Sequence, residues 1–306
     1  MISALGLDLG ASGIRAFSSA SDKPISEVAL GPTAASREQD TVMLIGTIAK
    51  ELGNPKFDSV CLGMSGYASL QVDPKVVAQS LHETLQATKV TVTSDMVTGH
   101  YSHFQEQPGV VLVVGTGALA FGVSETSYQR VDGLGLGLGD FGSAAWIGHE
   151  AMRLAKRASE LEANSKLLTA LELELGSSSS WPRLLASQEI SIFAIASLAK
   201  LVAKLASDGE AISHGIMQEA GSHVAQSAIA CANKLGITEV AYGGGVLNND
   251  ASIATAACLE RLHAAGLTAT KMTQEPGLGA LALAASAGSE RLNFLAGENL
   301  ATTVKF

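Results

Sequence analysis

The sequence has little of what several large classes of function require, above all aromatic side chains and charge. Aromatic residues make up 5% and charged residues 16% of the 306 residues, whereas 47% are hydrophobic. A disordered chain has the opposite balance, so general disorder is excluded. Lys and Arg number 20 against 29 Asp and Glu, which gives a net charge of −9. Because a surface for nucleic acid or an anionic membrane needs a basic patch, this balance disfavours both partners.

Cysteine is scarce too, and long hydrophobic runs are missing. The three cysteines, Cys61, Cys231 and Cys258, form no CxxC pair and no metal-ligand spacing. This predicts buried thiols in a reducing compartment. No apolar run reaches the roughly 20 residues that a membrane-spanning helix needs, and the N-terminus has no basic segment of the kind that opens a secretory signal. We therefore expect a soluble, cytoplasmic protein.

Glycine is what the sequence has in quantity, with 32 residues. In the first half of the chain, apolar runs and helical spacing predict the order β-β-β-α-β-α-β-α. The first three strands are expected to be antiparallel and joined by tight turns. The expected elements are strands Ile2–Leu9, Ile14–Ser18 and Ile25–Leu30, helix Thr41–Leu52, strand Phe57–Met64, helix Val76–Ala87, strand Lys89–Thr93 and helix Met96–Phe104.

The second half begins the same kind of unit again after Gln107-Pro108-Gly109. Its expected elements are strands Val110–Val114, Leu119–Ser124 and Tyr128–Leu134, a helical insertion over 143–205, helix Ile212–Leu235, strand Glu239–Tyr242, helix Ser252–Ala265, strand Thr268–Thr273 and helix Leu278–Ala287. The repeat predicts two domains, 1–107 and 108–306, with the last helix a candidate to pack back on the first domain. If the units flank a cleft, their Gly-rich turns face each other.

The segment Asp8–Gly13 joins the first two strands. An ordinary hairpin turn explains its glycines but not Asp8, because a carboxylate at the end of an apolar strand is costly unless it is paired. The functional interpretation is that Asp8 holds Mg²⁺ through waters, while the backbone N–H groups of Gly10, Ala11 and Ser12 cradle a phosphate. The turn by itself leaves both interpretations open.

Two further Gly-rich segments follow strands in the second half. Gly115, Thr116 and Gly117 form either another hairpin turn or a second phosphate clamp, to which Thr116 contributes its hydroxyl and amide. The triple glycine that starts at Gly243 forms either a flexible connection or a place where a flat purine ring approaches the backbone. Asn248 and its neighbour are alternative caps for the next helix.

Two acidic segments complete the set. Ser94 and Asp95 end a strand, where they are either a helix N-cap or, in the case of Asp95, a general base that accepts a proton from a substrate hydroxyl. The stretch 134–148 is rich in glycine around Asp140. It is either a loop entering a helix capped by Asp140 or Ser143, or a loop that folds over a small polar ligand. The scattered histidines predict no metal site.

Taken together and in order, these segments resemble the N-acetylglucosamine/glucosamine kinase branch of the BadF/BadG-type ATPases, within the actin-like ATPase and sugar-kinase superfamily. The similarity spans nearly the whole chain. The segments that carry it are Asp8–Gly13 (first phosphate motif), Ser94-Asp95 (catalytic aspartate), Gly115–Ala118 (second phosphate motif), Leu138–Ser143 with Trp146–Gly148 (the LGDEGS…WIG signature), Tyr242–Asn249 (adenosine motif) and Pro276–Leu281 (the P…GAL segment that opens the last helix).

The resemblance implies an α/β fold of two ribonuclease-H-like domains around a nucleotide cleft, with ATP and Mg²⁺ as cofactors. It implies that Asp95 deprotonates a hexose hydroxyl, with O6 the expected position, and that Asp8 serves the metal. The residues expected at the nucleotide are Gly10, Ala11, Ser12, Arg15, Gly115, Thr116, Gly117, Gly243, Gly244, Gly245 and Asn248. Those expected at the sugar are Asp95, Asp140, Ser65 and Gly66.

The chain departs from the family pattern mainly on the sugar side. Phe141 stands where the family has Glu, and Gly133–Gly139 contains no aromatic residue. Arg15 stands where the family has Lys, and small residues over Gly31–Ala35 stand where it commonly has an Asn that touches the sugar. The sequence therefore leaves the sugar open between N-acetylglucosamine, glucosamine and a related neutral hexose, and it supports ATP binding better than it supports an N-acetylated sugar.

Two other functions and the oligomeric state stay open at this point. One alternative is a catalytically silent sensor of sugar or nucleotide, and the other is an activating ATPase that needs a cysteine-ligated iron–sulfur cluster. The Ala-rich helices over Ile192–Ala206 and Ile216–Ala232 are candidates for a homodimer face and equally for a core.

Overall fold

The computed structural model describes most of the chain. The described residues are 3–10, 13–19, 21, 23–29, 38–53, 55–65, 67, 73–161, 165–249, 251–286 and 289–306. Three predicted site residues, Ala11, Ser12 and Gly66, lie outside them, as does the segment Gly31–Ala35. Every helix and strand expected from the sequence is present in the described part, with ends shifted by a few residues.

The helices and strands follow one another in this order. The first are β1 (Ala4–Gly10), β2 (Gly13–Ser18), β3 (Ser26–Ala29), α1 (Glu38–Glu51), β4 (Ser59–Met64), α2 (Pro74–Leu85), β5 (Lys89–Ser94) and α3 (Asp95–Phe104). Then come β6 (Gly109–Val114), β7 (Ala118–Val123), β8 (Tyr128–Asp132), α4 (Ala144–Glu160), α5 (Lys166–Leu175), α6 (Trp181–Ala186), α7 (Ile192–Ser207), α8 (Ala211–Leu235), β9 (Glu239–Gly243), α9 (Ile253–Ala264) and β10 (Thr268–Lys271). The last are α10 (Pro276–Ala285), α11 (Glu290–Gly297) and β11 (Ala301–Lys305).

The chain divides into two compact units. Unit 1 consists of Met1–Pro108 and Thr273–Phe306, and unit 2 of Gly109–Met272. The chain thus crosses between units twice. The sequence pattern predicts one boundary, after residue 107, with the last helix as a candidate to pack back on the first domain. The sequence predicts α10 as the last element of the chain. This prediction is wrong, because α11 and β11 follow α10 within unit 1.

Unit 1 is built on a six-stranded sheet in the order β11-β5-β4-β1-β2-β3. β1, β4 and β5 are parallel, and β1, β2 and β3 form the predicted antiparallel run. Along β1 the side chains alternate between the two faces of the sheet. Leu5, Leu7 and Leu9 join a core with residues of α1 and α2.

The opposite face of β1 is covered by α10 at very short range. A Cβ added to Gly6 would lie 2.3 Å from the backbone nitrogen of Leu281, and one added to Gly277 would lie 2.0 Å from the ring of Phe17. No side chain fits in such gaps, so these glycines are required by packing. The tight fit places Glu275, the residue before α10, beside the hairpin of β1 and β2.

Unit 2 is built on a five-stranded sheet in the order β10-β9-β6-β7-β8. α8 and α9 pack on this sheet, and a second cluster of buried residues joins α4, α5, α7 and α8. Many apolar residues of α7 and α8 therefore lie in the core of unit 2. Among the described residues, no helix combines the length and apolar character needed to cross a membrane.

The cysteines are buried, as predicted, and lie in different parts of the fold. Cys61 is in β4 of unit 1, while Cys231 and Cys258 are in α8 and α9 of unit 2. Burial raises the pKa of each thiol to about 12. At such a pKa the thiolate, which is the metal-binding and nucleophilic form, is rare at neutral pH.

Candidate functional site

Unit 1 places polar side chains at the carboxyl ends of three neighbouring strands. Asp8 of β1 is level with Gly63 of β4, and Gly63 is level with Thr93 of β5. Since these strands are parallel, their carboxyl ends meet at one edge of the sheet, where ligands of α/β folds usually bind. Ser65 and Asp95 directly follow β4 and β5 at that edge. The fold thus brings together three predicted site residues that are distant in sequence.

Arg15 neutralises the buried carboxylate of Asp8. Asp8 is 5% exposed, and its Oδ2 accepts a hydrogen bond from Arg15 Nη2 at 2.5 Å. The register of the β1-β2 hairpin sets the two residues opposite each other. Arg15 Nη1 also donates to Glu275 Oε2 at 2.8 Å. No sequence pattern indicated Glu275, since 260 residues separate it from Arg15 and only the packing of α10 brings the two side chains together.

The electrostatics of Asp8 explain why it needs a cation. Burial raises the pKa of its carboxyl, and Arg15 opposes that rise through its charge and its hydrogen bond. The negative charges of Asp95 and Glu275 raise the pKa of Asp8 further. Gly10, just beyond, faces open space, because a Cβ there would meet nothing within 4 Å. Packing therefore does not require glycine at this end of β1.

Asp95 is the first residue of α3, and its carboxylate is firmly held. Ser94 is the N-cap of α3, and its Oγ accepts the N–H of Met96 at 3.3 Å. Asp95 Oδ1 accepts the same N–H at 2.9 Å and the Ser94 hydroxyl at 3.1 Å. Burial raises the pKa of Asp95, while hydrogen bonds from Ser94, Ser65 and the Met96 backbone oppose the rise. The capping role predicted for this segment thus falls to Ser94.

In unit 2, the turn between β6 and β7 is fixed by the start of α4. The N–H of Gly115 donates to the carbonyl of Gly117 at 2.9 Å. The N–H groups of Ala144 and Ala145 donate to the carbonyls of Gly115 and Thr116, at 2.9 and 3.2 Å. The first turn of α4 therefore uses two of its backbone donors to hold the predicted second phosphate motif in place.

A cavity of about 530 Å³ opens beside this turn within unit 2. It brings Gly115 and Thr116 together with Gly245 and Asn249 of the predicted adenosine motif. A largely apolar cavity of this size with a few polar groups is typical of a small-molecule site. The other lining residues, which no motif indicated, are Ala144, Ile147, Phe193, Ala196, Ser197, Ala199, Lys200, Ala203, Met217, Val246 and Ser252.

The three glycines at the end of β9 are explained by different features of the structure. Gly244 has φ +98, and a Cβ on it would lie 2.4 Å from the carbonyl oxygen of Val114. A Cβ on Gly243 would lie 3.2 Å from the side chain of Met272. Gly245 has open space at that position and lines the cavity. Packing and backbone conformation thus explain Gly244, whereas neither explains Gly245.

The asparagines of this segment also differ from each other. Asn249 lines the cavity, and its Oδ1 accepts the N–H of Ala251 at 3.1 Å. Asn248, the residue expected at the nucleotide, is not among the lining residues, and its carbonyl accepts a hydrogen bond from Lys271 at 2.6 Å. Neither is the N-cap of α9, which is Ser252.

Asp140 lies against the turn that holds the second phosphate motif. Its Oδ1 accepts the N–H of Ala118 at 3.2 Å, and a Cβ on Gly117 would lie 2.9 Å from its Oδ2. Asp140 has φ +58, and its own N–H donates to Oδ1 of Asp132. Burial raises the pKa of Asp140, and the Ala118 bond opposes the rise. The cap of α4 is Ser143, not Asp140.

Phe141, which follows Asp140, is exposed. Its side chain is 46% exposed, and its ring centroid lies 5.5 Å from that of His223. His223 also contacts the ring of Trp146, edge-on, with the ring centroids 5.2 Å apart. The residue that departs from the family's Glu therefore presents a partly exposed apolar ring that packs on His223.

Comparison with known proteins gives a family for the chain as a whole. A sequence model described as the BadF/BadG/BcrA/BcrD ATPase family matches residues 5–284. An N-acetyl-D-glucosamine kinase of Dictyostelium discoideum is 31% identical over 119 residues, which are 38% of this chain and 37% of that protein. The matched region thus spans little more than a third of that relative's length.

Solved structures show where the fold recurs. A protein of Chromobacterium violaceum assigned as an N-acetylglucosamine kinase has TM-score 0.66 and 22% identity, over 92% of this chain and 99% of that one. A protein of Porphyromonas gingivalis with the same assignment has TM-score 0.68 and 17% identity, over 91% and 97%. A ROK family glucokinase of Streptomyces griseus, solved with glucose and AMPPNP, has TM-score 0.61 and 16% identity, over 92% and 99%. The predicted α/β fold of two ribonuclease-H-like domains is confirmed.

Proposed function

Because this chain belongs to the BadF/BadG/BcrA/BcrD ATPase family, we propose that it is an ATP-dependent kinase of a hexosamine. The expected reaction transfers the γ-phosphoryl group of ATP to O6 of N-acetylglucosamine or glucosamine. The observation that carries the proposal is the cavity of unit 2, where segments expected at the phosphates and at the adenosine line one space. The name of the Dictyostelium relative supports the choice of sugar.

The nucleotide is proposed to bind in this cavity through backbone groups and apolar walls. Gly115 and Gly245 both line it, and at neither would a Cβ meet anything within 4 Å. Glycine there leaves the backbone open to a ligand. Phe193 and Val246 supply apolar surface for a base, and Lys200 supplies a positive charge. These features suit a nucleotide even in an acidic protein. Backbone N–H groups and the single cation Lys200 are able to bind phosphates without a basic patch.

Asp95 is the proposed general base. Its Oδ1 is fixed by Ser94 and by the Met96 N–H, so the orientation of the carboxylate is set before substrate arrives. The base takes the proton of the sugar hydroxyl as the hydroxyl oxygen bonds to the γ-phosphorus. The bond from that phosphorus to the bridging oxygen breaks, and ADP leaves. Burial raises the pKa of Asp95. A general base transfers a proton more effectively when its pKa lies closer to the working pH.

The residues present fit Mg²⁺ as a companion of the nucleotide. Mg²⁺ usually binds through one or two carboxylates together with phosphates and water. Asp8 is a buried carboxylate that requires a cation. Within the described ranges, no group of three or more His, Cys, Asp or Glu is placed as a dedicated metal cage. Asp8 would hold the ion, which when bound neutralises charge on the transferring phosphoryl group.

One assay series tests the proposal. Formation of ADP is measured with glucosamine, N-acetylglucosamine, glucose and N-acetylmannosamine, for the wild type and for Asp95→Asn. We expect a hexosamine to stimulate turnover in the wild type and not in the variant. Absence of stimulation by all four sugars would contradict the kinase. If calorimetry then showed binding of sugar or ATP, the silent sensor would replace it.

The alternative of an iron–sulfur activating ATPase finds no support in the described cysteines. Cys61, Cys231 and Cys258 are all buried, and burial raises the pKa of each thiol to about 12. A cluster needs thiolates gathered at one surface. A purified protein without visible absorbance from iron and sulfide would agree with this interpretation.

A further inference from the structure

The group of Asp8, Arg15 and Glu275 in unit 1 contains two carboxylates on one guanidinium. Arg15 Nη2 lies 2.5 Å from Asp8 Oδ2, and Arg15 Nη1 lies 2.8 Å from Glu275 Oε2. The side chains are 7%, 29% and 49% exposed for Asp8, Arg15 and Glu275. The guanidinium therefore joins a buried acid to a surface acid. Neutralising Asp8 explains only one of these two contacts.

We infer that Glu275 is a positioning residue that holds Arg15 when Asp8 takes a divalent cation, an inference that rests on the proposed metal role of Asp8. A buried carboxylate stays ionised at low cost only when it is paired with a cation or hydrogen-bonded. Without ligand, Arg15 is that cation. Mg²⁺ and Arg15 then compete for the same acid, since two cations close together repel each other. When the Nη2 contact is given up, the Nη1 contact to Glu275 keeps the guanidinium on an opposite charge.

The backbone around Glu275 is suited to this task. Glu275 occupies the N-cap position of α10, but its side chain makes no capping hydrogen bond there. Its carboxylate is instead engaged with Arg15. α10 is fixed on β1 by the close contacts at Gly6 and Gly277. The second acid is thus held by a rigid element, as a positioning group has to be.

The test measures metal binding rather than turnover, with Mn²⁺ alone as the probe and free Mn²⁺ counted by electron paramagnetic resonance. In Glu275→Gln, Arg15 has lost its second anchor and stays on Asp8. We expect the Mn²⁺ dissociation constant to rise about two- to fivefold, the range that a partly exposed ion pair supplies. In Arg15→Gln, the competing cation is gone, so Mn²⁺ should bind more tightly than in the wild type.

The double variant Arg15→Gln/Glu275→Gln separates positioning from direct electrostatics. If Glu275 acts through Arg15, its removal has no further effect once Arg15 is neutral. An equal loss of Mn²⁺ affinity in both backgrounds would overturn the inference, because Glu275 would then act on the metal directly. No loss in Glu275→Gln alone would overturn it as well. Glu298→Gln, an exposed acid of the same unit, is the matched control and should change nothing.

Two more measurements distinguish this inference from the proposed function. Asp8→Asn should abolish the specific Mn²⁺ site. If it binds Mn²⁺ like the wild type, the metal role of Asp8 and the positioning role of Glu275 both fail. If the metal results are as expected but no sugar stimulates turnover, only the kinase proposal fails. Circular dichroism of each variant establishes that differences in binding come from folded protein.

Discussion

The two units use the same hairpin with different side chains. In unit 1, Asp8 stands two residues before Gly10 and faces Arg15 across the hairpin. In unit 2, Val113 stands two residues before Gly115 and faces Leu119. Both copies are antiparallel hairpins, but one carries a charged pair at this position and the other an apolar pair. In unit 1 the acid thus lies on the hairpin strand itself, whereas in unit 2 the acid that contacts the turn, Asp140, comes from the loop before α4.

The largest effect on turnover is expected from replacement of Asp95, the acid that follows β5 in unit 1. Asp95→Asn removes the proposed base and keeps the shape of the side chain. We expect sugar-stimulated turnover to fall about 10²- to 10⁴-fold, the usual contribution of a general base. ADP binding should be unchanged by calorimetry, since the residues that line the proposed nucleotide cavity belong to unit 2 and Asp95 is not among them. An unchanged turnover number would show that Asp95 is not the base.

A matched pair of glycine variants in unit 2 distinguishes a glycine required by packing, Gly244, from one that lines the cavity, Gly245. Gly244→Ala puts a Cβ 2.4 Å from Val114 O at φ +98 and should destabilise the fold by about 1–3 kcal/mol, lowering its melting temperature. Gly245→Ala meets nothing within 4 Å, so the melting temperature should stay the same.

The affinity for ADP should distinguish the two glycine variants in the opposite sense, because it should fall in Gly245→Ala, the variant with unchanged stability. In Gly245→Ala the added methyl group enters the cavity, and we expect ADP to bind about tenfold more weakly, which is about 1.4 kcal/mol. Titration calorimetry measures this, alongside thermal unfolding of both variants. A Gly245→Ala protein with wild-type affinity for ADP would remove the cavity from the proposed site.

The pH dependence of turnover tests the proposed role of Asp95 in unit 1, and the expected change is smaller than that of the variants above. Burial raises the pKa of Asp95, and the base acts in its ionised form. Activity should therefore be full above that raised pKa and should fall as pH drops through it, starting at higher pH than for an ordinary Asp of pKa ~3.9. The kcat/KM profile reports this pKa for the free enzyme. A profile flat down to pH 4 would contradict the assignment.

The smallest effect is expected at the exposed ring of unit 2. Phe141→Glu restores the residue that the family pattern has at this position. Because Phe141 is 46% exposed, stability should change by no more than about 0.5 kcal/mol. We expect the ratio of kcat/KM for N-acetylglucosamine over glucosamine to shift, with kcat/KM for ATP unchanged. Leu173→Glu, another exposed apolar position, is the control.

Sequence reasoning predicted local features well wherever one segment supplied the whole signal. The antiparallel run β1-β2-β3 was correct because apolar strands and short turns follow directly in the chain. Ser94 was recognised as a possible cap, since a cap depends on neighbouring residues. The triple glycine was recognised but interpreted as one feature. Only the structure separates Gly244, which packs on Val114, from Gly245, which lines the cavity.

Features that depend on distant segments were missed. The strand β11 has only five residues and lies at a sheet edge, so its pattern is too weak to recognise without its partner β5. Glu275 reaches Arg15 only because α10 packs on β1. Phe193 and Lys200 enter the cavity from a helix with no motif. In each case the deciding information is a contact across the fold, which a single sequence does not display.

The sequence by itself determined the family, the order of the elements as far as α10 and the identity of the acidic and Gly-rich segments. These follow from local spacing, which is written along the chain. The tertiary structure decided which acid has which partner, and which glycines are free of packing. Asp8 looked like a carboxylate in need of a metal, and the fold shows that Arg15 already neutralises it. The physical reason is burial, because the cost of an unpaired charge depends on what surrounds it.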